Sequence, residues 1–250
     1  MEYERSLFHG DHPDQHNLIL LKKTYSLKAQ SQYKAGYENL LRANLFDNSD
    51  SLNFLLRYEL VINAYLAETY DIAYNQLQQL NHFVASEKLK FGVSFLEILI
   101  LNEMQRWTEA RDKLIIYNDT RQANFNIDSL YNFIDKPKIR DLKKNEVPLM
   151  LAPGLMQLRE GKPLDAFFSA TIRGSLIYLL IDQFSKNYFF SGSFSAAALY
   201  FVFYQGAVKH ATELIKNRNA KKITSYNHRI KHALMTYEMS INNYNFNGNH

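Results

Sequence analysis

Histidines and carboxylates are the side chains of this sequence with the most scope for chemistry. His9, Asp11, His12, Asp14 and His16 crowd near its start, and imidazole nitrogens with carboxylate oxygens are the usual ligands of zinc and similar cations. His228 and His232 stand at i and i+4, a spacing that could clip a metal across one helical turn, but no third ligand follows at a matching distance. Asp165 and Asp182 flank an apolar stretch, too far apart to act as a pair of carboxylates. There is no cysteine, so thiolate chemistry and disulfides are excluded. Neither a glycine-rich phosphate loop, a nucleophile elbow nor an HExxH helix is present. The first histidines therefore read as a solvated polar loop and the last two as a basic surface. No catalytic residue, metal or cofactor is expected, and the chain does not read as an enzyme.

The elements that carry these residues follow a period. Tyr33, Tyr70 and Trp107 are spaced by 37 residues, and each opens the same pattern. A small residue follows at i+3 (Gly36, Ala73, Ala110) and a leucine at i+7 (Leu40, Leu77, Leu114). At i+10 stand Ala43, Leu80 and Tyr117. This is one face of an α-helix. Upstream of each anchor a second stripe recurs: Leu21, Thr24 and Leu27; Tyr58, Val61 and Ala64; Phe95, Ile98 and Leu101. Two helices per period of this length mean stacked helical hairpins, each burying its apolar face on the next. One period before Leu40 and Ala43 lie Tyr3 and Ser6, so the sequence is expected to open inside the second helix of a further repeat.

These residues resemble the tetratricopeptide (TPR) repeat, in which a small residue marks the contact between paired helices. The period is longer than the family's usual one of about 34 residues, and Ser31, Glu68 and Gln105 stand where the family often has glycine. The resemblance implies a groove lined from the first helices, with Tyr25, Ile62 and Leu99 at equivalent positions. A clamp for a peptide carboxylate needs Lys, Arg or Asn there. Tyr25, Ile62 and Leu99 instead suit an apolar helix, an extended segment or the protein's own connector. A protein partner is expected, and no small-molecule substrate.

Composition fits an all-α chain. Glycine (9) and proline (5) are scarce in 250 residues, while 17 Tyr and 17 Phe supply apolar bulk for helix stacking. The net charge of +4 is uneven, because from Lys209 onward seven basic side chains face two acidic ones. No RNA- or DNA-binding signature accompanies this basic end, so nucleic acid is not an expected partner. Residues 1–20 show no basic start, apolar core and cleavage site of a secretion signal.

Pro137 and Pro148 punctuate a basic connector at 136–150, which separates repeats at 1–135 from a different kind of chain. Lys186 and Lys209 bracket 22 uncharged residues with aromatics towards both ends. As a helix they would span about 33 Å, enough for a bilayer core of about 30 Å. Gly192 and Ala196 form a small-xxx-small pair for close helix approach. The preceding apolar segment, 164–184, holds Asp165, Arg173 and Asp182. Arg173 at mid-depth would cost about 2.5–3.5 kcal/mol, which marks it as a functional candidate. A helical hairpin turning near Ser185–Asn187 would place basic flanks on one side of the bilayer, as the positive-inside rule favours. The segment 216–250 reads as a basic, Asn-rich tail after a hairpin domain at 151–215.

The run Pro153-Gly154-Leu-Met-Gln157-Leu-Arg-Glu-Gly161-Lys-Pro-Leu-Asp165-Ala is similar to the Pro-Gly-x-Gly-Gln motif of small bacterial membrane hairpins that often follow TPR repeats. Met156 and Arg159 stand where that motif has glycine and tyrosine. The two resemblances together imply an all-α protein: a TPR-like solenoid followed by a hydrophobic helical hairpin, in a bacterial inner membrane. The function they imply is a non-catalytic adaptor tethered to the lipid bilayer through 164–208. The alternatives are a soluble adaptor whose last helices form a capping bundle, and an auxiliary subunit of a membrane transport or insertion machine that uses Arg173.

Overall fold

The computed structural model describes residues 2–9, 13–45, 49–135, 139–141, 153–187 and 189–247. Among them the regular elements are all helices, and no strand forms. The helices are α1 (Glu2–His9), α2 (Pro13–Ala29), α3 (Tyr33–Leu40), α4 (Asp50–Leu66), α5 (Tyr70–Phe83), α6 (Glu87–Phe91), α7 (Ser94–Glu103) and α8 (Trp107–Arg121), then α9 (Ile127–Tyr131), α10 (Pro153–Arg159), α11 (Pro163–Ser185) and α12 (Phe189–Asn247). Two compact units result: Met1–Lys136 with Asn227–His250, and Pro137–Tyr226.

In the first unit, helices that are close in sequence pack on one another: α1 on α2, α2 on α3, α3 on α4, α4 on α5, α5 on α7 and α7 on α8. Tyr33, Tyr70 and Trp107 each open the second helix of a pair. The turn before each is the same. Ser31, Glu68 and Gln105 all have φ of 59°. The next amide in each turn bonds back five residues: Gln32 to the Leu27 carbonyl (2.9 Å), Thr69 to Ala64 (3.0 Å) and Arg106 to Leu101 (2.9 Å). This is the Schellman closure, in which a left-handed residue satisfies the last carbonyls of a helix. A residue with a Cβ pays about 1 kcal/mol for that backbone, so packing of the two helices must hold it there.

That packing is visible in the second helices. Gly36, Leu40, Ala73, Leu77, Ala110 and Leu114 are all buried, while Tyr33, Tyr70 and Trp107 are half-buried at the helix starts. Gly36 needs its missing side chain, since a Cβ there would lie 2.5 Å from Asn63 Oδ1 on α4 and 3.5 Å from Thr24 on α2. The first helices turn Leu21, Val61, Ala64, Ile98 and Leu101 inwards. Leu21, Leu40, Leu56 and Leu60 form one cluster across α2, α3 and α4. Amide side chains stitch the same surfaces: Asn39 Nδ2 donates to the Leu20 carbonyl and to Thr24 Oγ1, both at 2.9 Å. Glu59 is buried and accepts from Lys28 Nζ at 2.7 Å, tying α4 to α2.

The expectation of a half-repeat at the start meets α1, which packs on α2 and buries Leu7. Its Glu4 carboxylate takes ion pairs from Lys23 and Arg42, which hold it at about 2, well below the usual carboxylate range. His16 lies within α2 instead of the expected loop. The side chains of His9, Asp11, His12 and Asp14 lie outside the described residues.

The segment expected at 216–250 as a basic, Asn-rich tail lies in α12 as far as Asn247, and residues from Asn227 onward belong to the first compact unit. The physical reason is a stripe at helical spacing, Asn227, Ile230 and Leu234, all of them buried. Of the connector expected at 136–150, only 139–141 is described.

Candidate functional site

The residues on α12 from Asn227 onward read out the repeat helices side chain by side chain. Asn227 uses both ends of its amide, donating to Glu103 Oε2 at 2.9 Å and accepting from Trp107 Nε1 at 3.2 Å. Lys231 stands over the Tyr65 ring at 5.2 Å from its centroid, within cation–π range. Tyr237 donates to the Arg121 carbonyl at 3.0 Å and sets its ring 5.2 Å from that of Phe125. Glu238 accepts from the Tyr117 hydroxyl, and Arg229 Nη2 donates to the Leu130 carbonyl at 2.6 Å. Contacts thus come from α4, α7, α8 and the segment around α9. Burial raises the phenols of Tyr65 and Tyr117 above their ordinary value, and the Glu238 carboxylate adds to the shift at Tyr117. This surface thus seats a stretch of the chain's own α12, with an apolar stripe in the middle and polar anchors on both sides.

Of the groove residues expected from sequence, Leu99 is buried, Ile62 half-buried and Tyr25 exposed. Lys28 stands over the Tyr25 ring, 5.0 Å from its centroid, and partial shielding of that ring from water together with the Glu59 carboxylate raises the phenol. Sequence reasoning missed Asn227, Ile230, Leu234, Tyr237 and Glu238. The signal was available in the spacing 227, 230, 234, 237, 241, but the density of lysines and asparagines around it concealed the stripe.

The second unit gathers most of the residues singled out between Pro153 and Asp165. Gly161 has φ of 79°, and Lys162 N bonds to the Gln157 carbonyl at 2.9 Å, so α10 and α11 are joined by the same closure as the repeat pairs. Pro163 and Ala166 then occupy the places of Tyr33 and Gly36. Gly154 faces α11, where a Cβ would come within 3.4 Å of the Ala166 carbonyl. Gln157 is buried; its Oε1 accepts from Ser169 Oγ at 2.7 Å and its Nε2 lies 3.2 Å from His210 Nδ1. His210 Nε2 in turn lies 3.8 Å from Asp165 Oδ2. Gln157 and Asp165 therefore meet through His210, a residue the sequence did not single out. Arg173 lies two helical turns beyond Asp165 and does not join them; its guanidinium stands 5.6 Å from the Tyr204 ring centroid.

Next to this cluster, Glu160 is buried and paired with both Arg140 and Arg218. Burial first, and then the neighbouring Arg218 and Arg159, pull Arg140 below its usual range. Met156, Ala211 and Ile215 form a small apolar core between α10 and α12.

Helix α11 is long and apolar enough to cross a membrane. Leu164, Phe167, Phe168, Ile177, Tyr178 and Ile181 on it are all exposed. Sequence gave more weight to 187–208, where Phe194, Phe201 and Val202 are exposed too. That stretch is charge-free, but Ser191, Ser193, Ser195 and Gln205 dilute its apolarity. Gly192 and Ala196 lie on α12, and what surrounds them is outside the described part of the structure. Among the described residues no three His, Asp or Glu converge as a metal site. His228 and His232 stack at 6.3 Å between ring centroids.

No protein-family model matches the chain, and no curated protein or solved structure is significantly similar to it.

Proposed function

We propose that the protein is a membrane-tethered, TPR-like adaptor without catalytic activity. The observation that carries this reading is the repeated turn. Three left-handed residues at a 37-residue spacing close three helical pairs in one way, and arrays of such pairs serve as binding surfaces. The helix seated on them, from Asn227 onward, supports an amphipathic helix as the kind of partner this surface takes. The exposed apolar side chains of α11 support a tether, since apolar surface of this extent on a soluble monomer is rare. In this reading α11 and the first part of α12 form the hairpin expected at 164–208, in a bacterial inner membrane.

A photo-reactive amino acid placed at Tyr25, exposed on α2, tests the adaptor role in the membrane fraction. Discrete crosslinks to a second protein are the expected result. Crosslinks confined to the protein's own chain, at Tyr25 and equally at Ile62, would contradict it. The Arg173–Tyr204 stacking favours a second reading, an auxiliary subunit of a membrane machine, because a charge held by an aromatic ring on a lipid-facing helix is costly to keep.

A further inference from the structure

The second unit holds a cleft of about 630 Å³ that the adaptor reading leaves without a role. Glu160 and Lys162 bound it on one side, and Leu214, Arg218, Lys221 and Lys222 on the face of α12. The charges do not balance. Glu160 is the carboxylate of the cleft, and Arg140 and Arg218 already satisfy it. Lys162, Lys221 and Lys222 have no carboxylate partner among the described residues. Three ammonium groups around one partly enclosed volume repel one another, a cost that an anion in their midst would remove.

The position of the cleft names the kind of anion. Lys162 directly precedes Pro163, the first residue of α11, whose exposed apolar side chains begin at Leu164. At Lys162 the cleft therefore starts from the level where polar chain gives way to apolar helix, and it extends away from that level along α12. In a bilayer that level is the depth of the phosphate groups. Leu214 adds an apolar wall beside the lysines, which suits the glycerol and first acyl carbons of a lipid and gives a free phosphate nothing.

We infer that this cleft binds the phosphodiester headgroup of an anionic phospholipid, with Lys162, Lys221 and Lys222 as its ligands and Arg218 holding Glu160 out of the way. The inference rests on the membrane reading of α11. A juxtamembrane cluster of this kind selects anionic lipid through charge-assisted hydrogen bonds and through the field of the surface.

The test reconstitutes the full chain, and a Lys162→Gln/Lys221→Gln/Lys222→Gln variant, into vesicles of phosphatidylcholine with a minor fraction of phosphatidylglycerol. Insertion is read by flotation, and lipid preference by native mass spectrometry of the lipids retained after gentle extraction. The wild type should retain phosphatidylglycerol over phosphatidylcholine by on the order of tenfold. The variant should float equally well and lose that preference. Equal preference in both proteins would overturn the site and leave a diffuse surface-charge effect. Displacement of the lipid by excess inorganic phosphate would overturn it in favour of a soluble-anion pocket. Failure of the wild type to float would instead remove the membrane reading itself.

Discussion

At Ser31, Glu68 and Gln105 an L-residue holds a backbone that glycine adopts without strain. The side chains at these turns are exposed, so what a substitution there changes is mainly the backbone. Glu68→Gly should exceed Glu68→Ala in unfolding stability by about 1 kcal/mol, measured as a shift in denaturant midpoint. Equal midpoints for the two variants would contradict the left-handed turn. The phenols give a second prediction. Burial raises Tyr65, Tyr117 and Tyr131 above their ordinary value of 10, and pushes Tyr70 up to about 12 with help from Glu103 and Glu68. A group whose pKa is higher folded than unfolded contributes its full stability below the unfolded value and loses it as pH climbs towards the folded one. Stability of the first unit should therefore fall between pH 10 and pH 12, and less steeply in Tyr70→Phe. A flat profile across that range would show the rings to be solvated.

The helix pairs were the most legible elements, and for a simple reason. Small residues such as Gly36, Ala73 and Ala110 recur because two backbones approach there, and a leucine four positions on fills the space between. That constraint is local, so it leaves a period in the sequence. The last part of α12 was not legible as an element of the same unit, because its partners lie far away in sequence, as Tyr117 does from Glu238. Its stripe of Ile230 and Leu234 is narrow and set among polar residues. The same holds at His210, whose partner Gln157 comes from another helix. Leu234 is fully buried, and Leu234→Ala should lower the stability of the unit by about 2–5 kcal/mol through the cavity it leaves. Calorimetry showing an unchanged transition would mean that the helix lies loosely on the repeats.

For the molecule as a whole, the two units differ in how they treat apolar surface. The first buries Leu20, Leu40, Leu56, Leu60, Leu77 and Leu114 to 1% exposure or less, whereas Leu164, Phe167 and Phe168 on α11 are each more than 60% exposed. The helix that carries this surface also carries Arg173, which weakened it in the sequence reading; the structure places that side chain against the Tyr204 ring. In the tethered-adaptor account a bilayer would cover such surface at a gain of roughly 25 cal/mol per Å². The most telling measurement is flotation of cell membranes through a density gradient after an alkaline carbonate wash. Flotation is needed in place of pelleting, because the buried tyrosines predict that the first unit loses stability at that pH, and aggregates pellet but do not float. The tethered-adaptor account predicts the full-length protein in the floating lipid fraction, released only by detergent. Recovery in the soluble load fraction would contradict it and make α10 to α12 part of a soluble helical bundle.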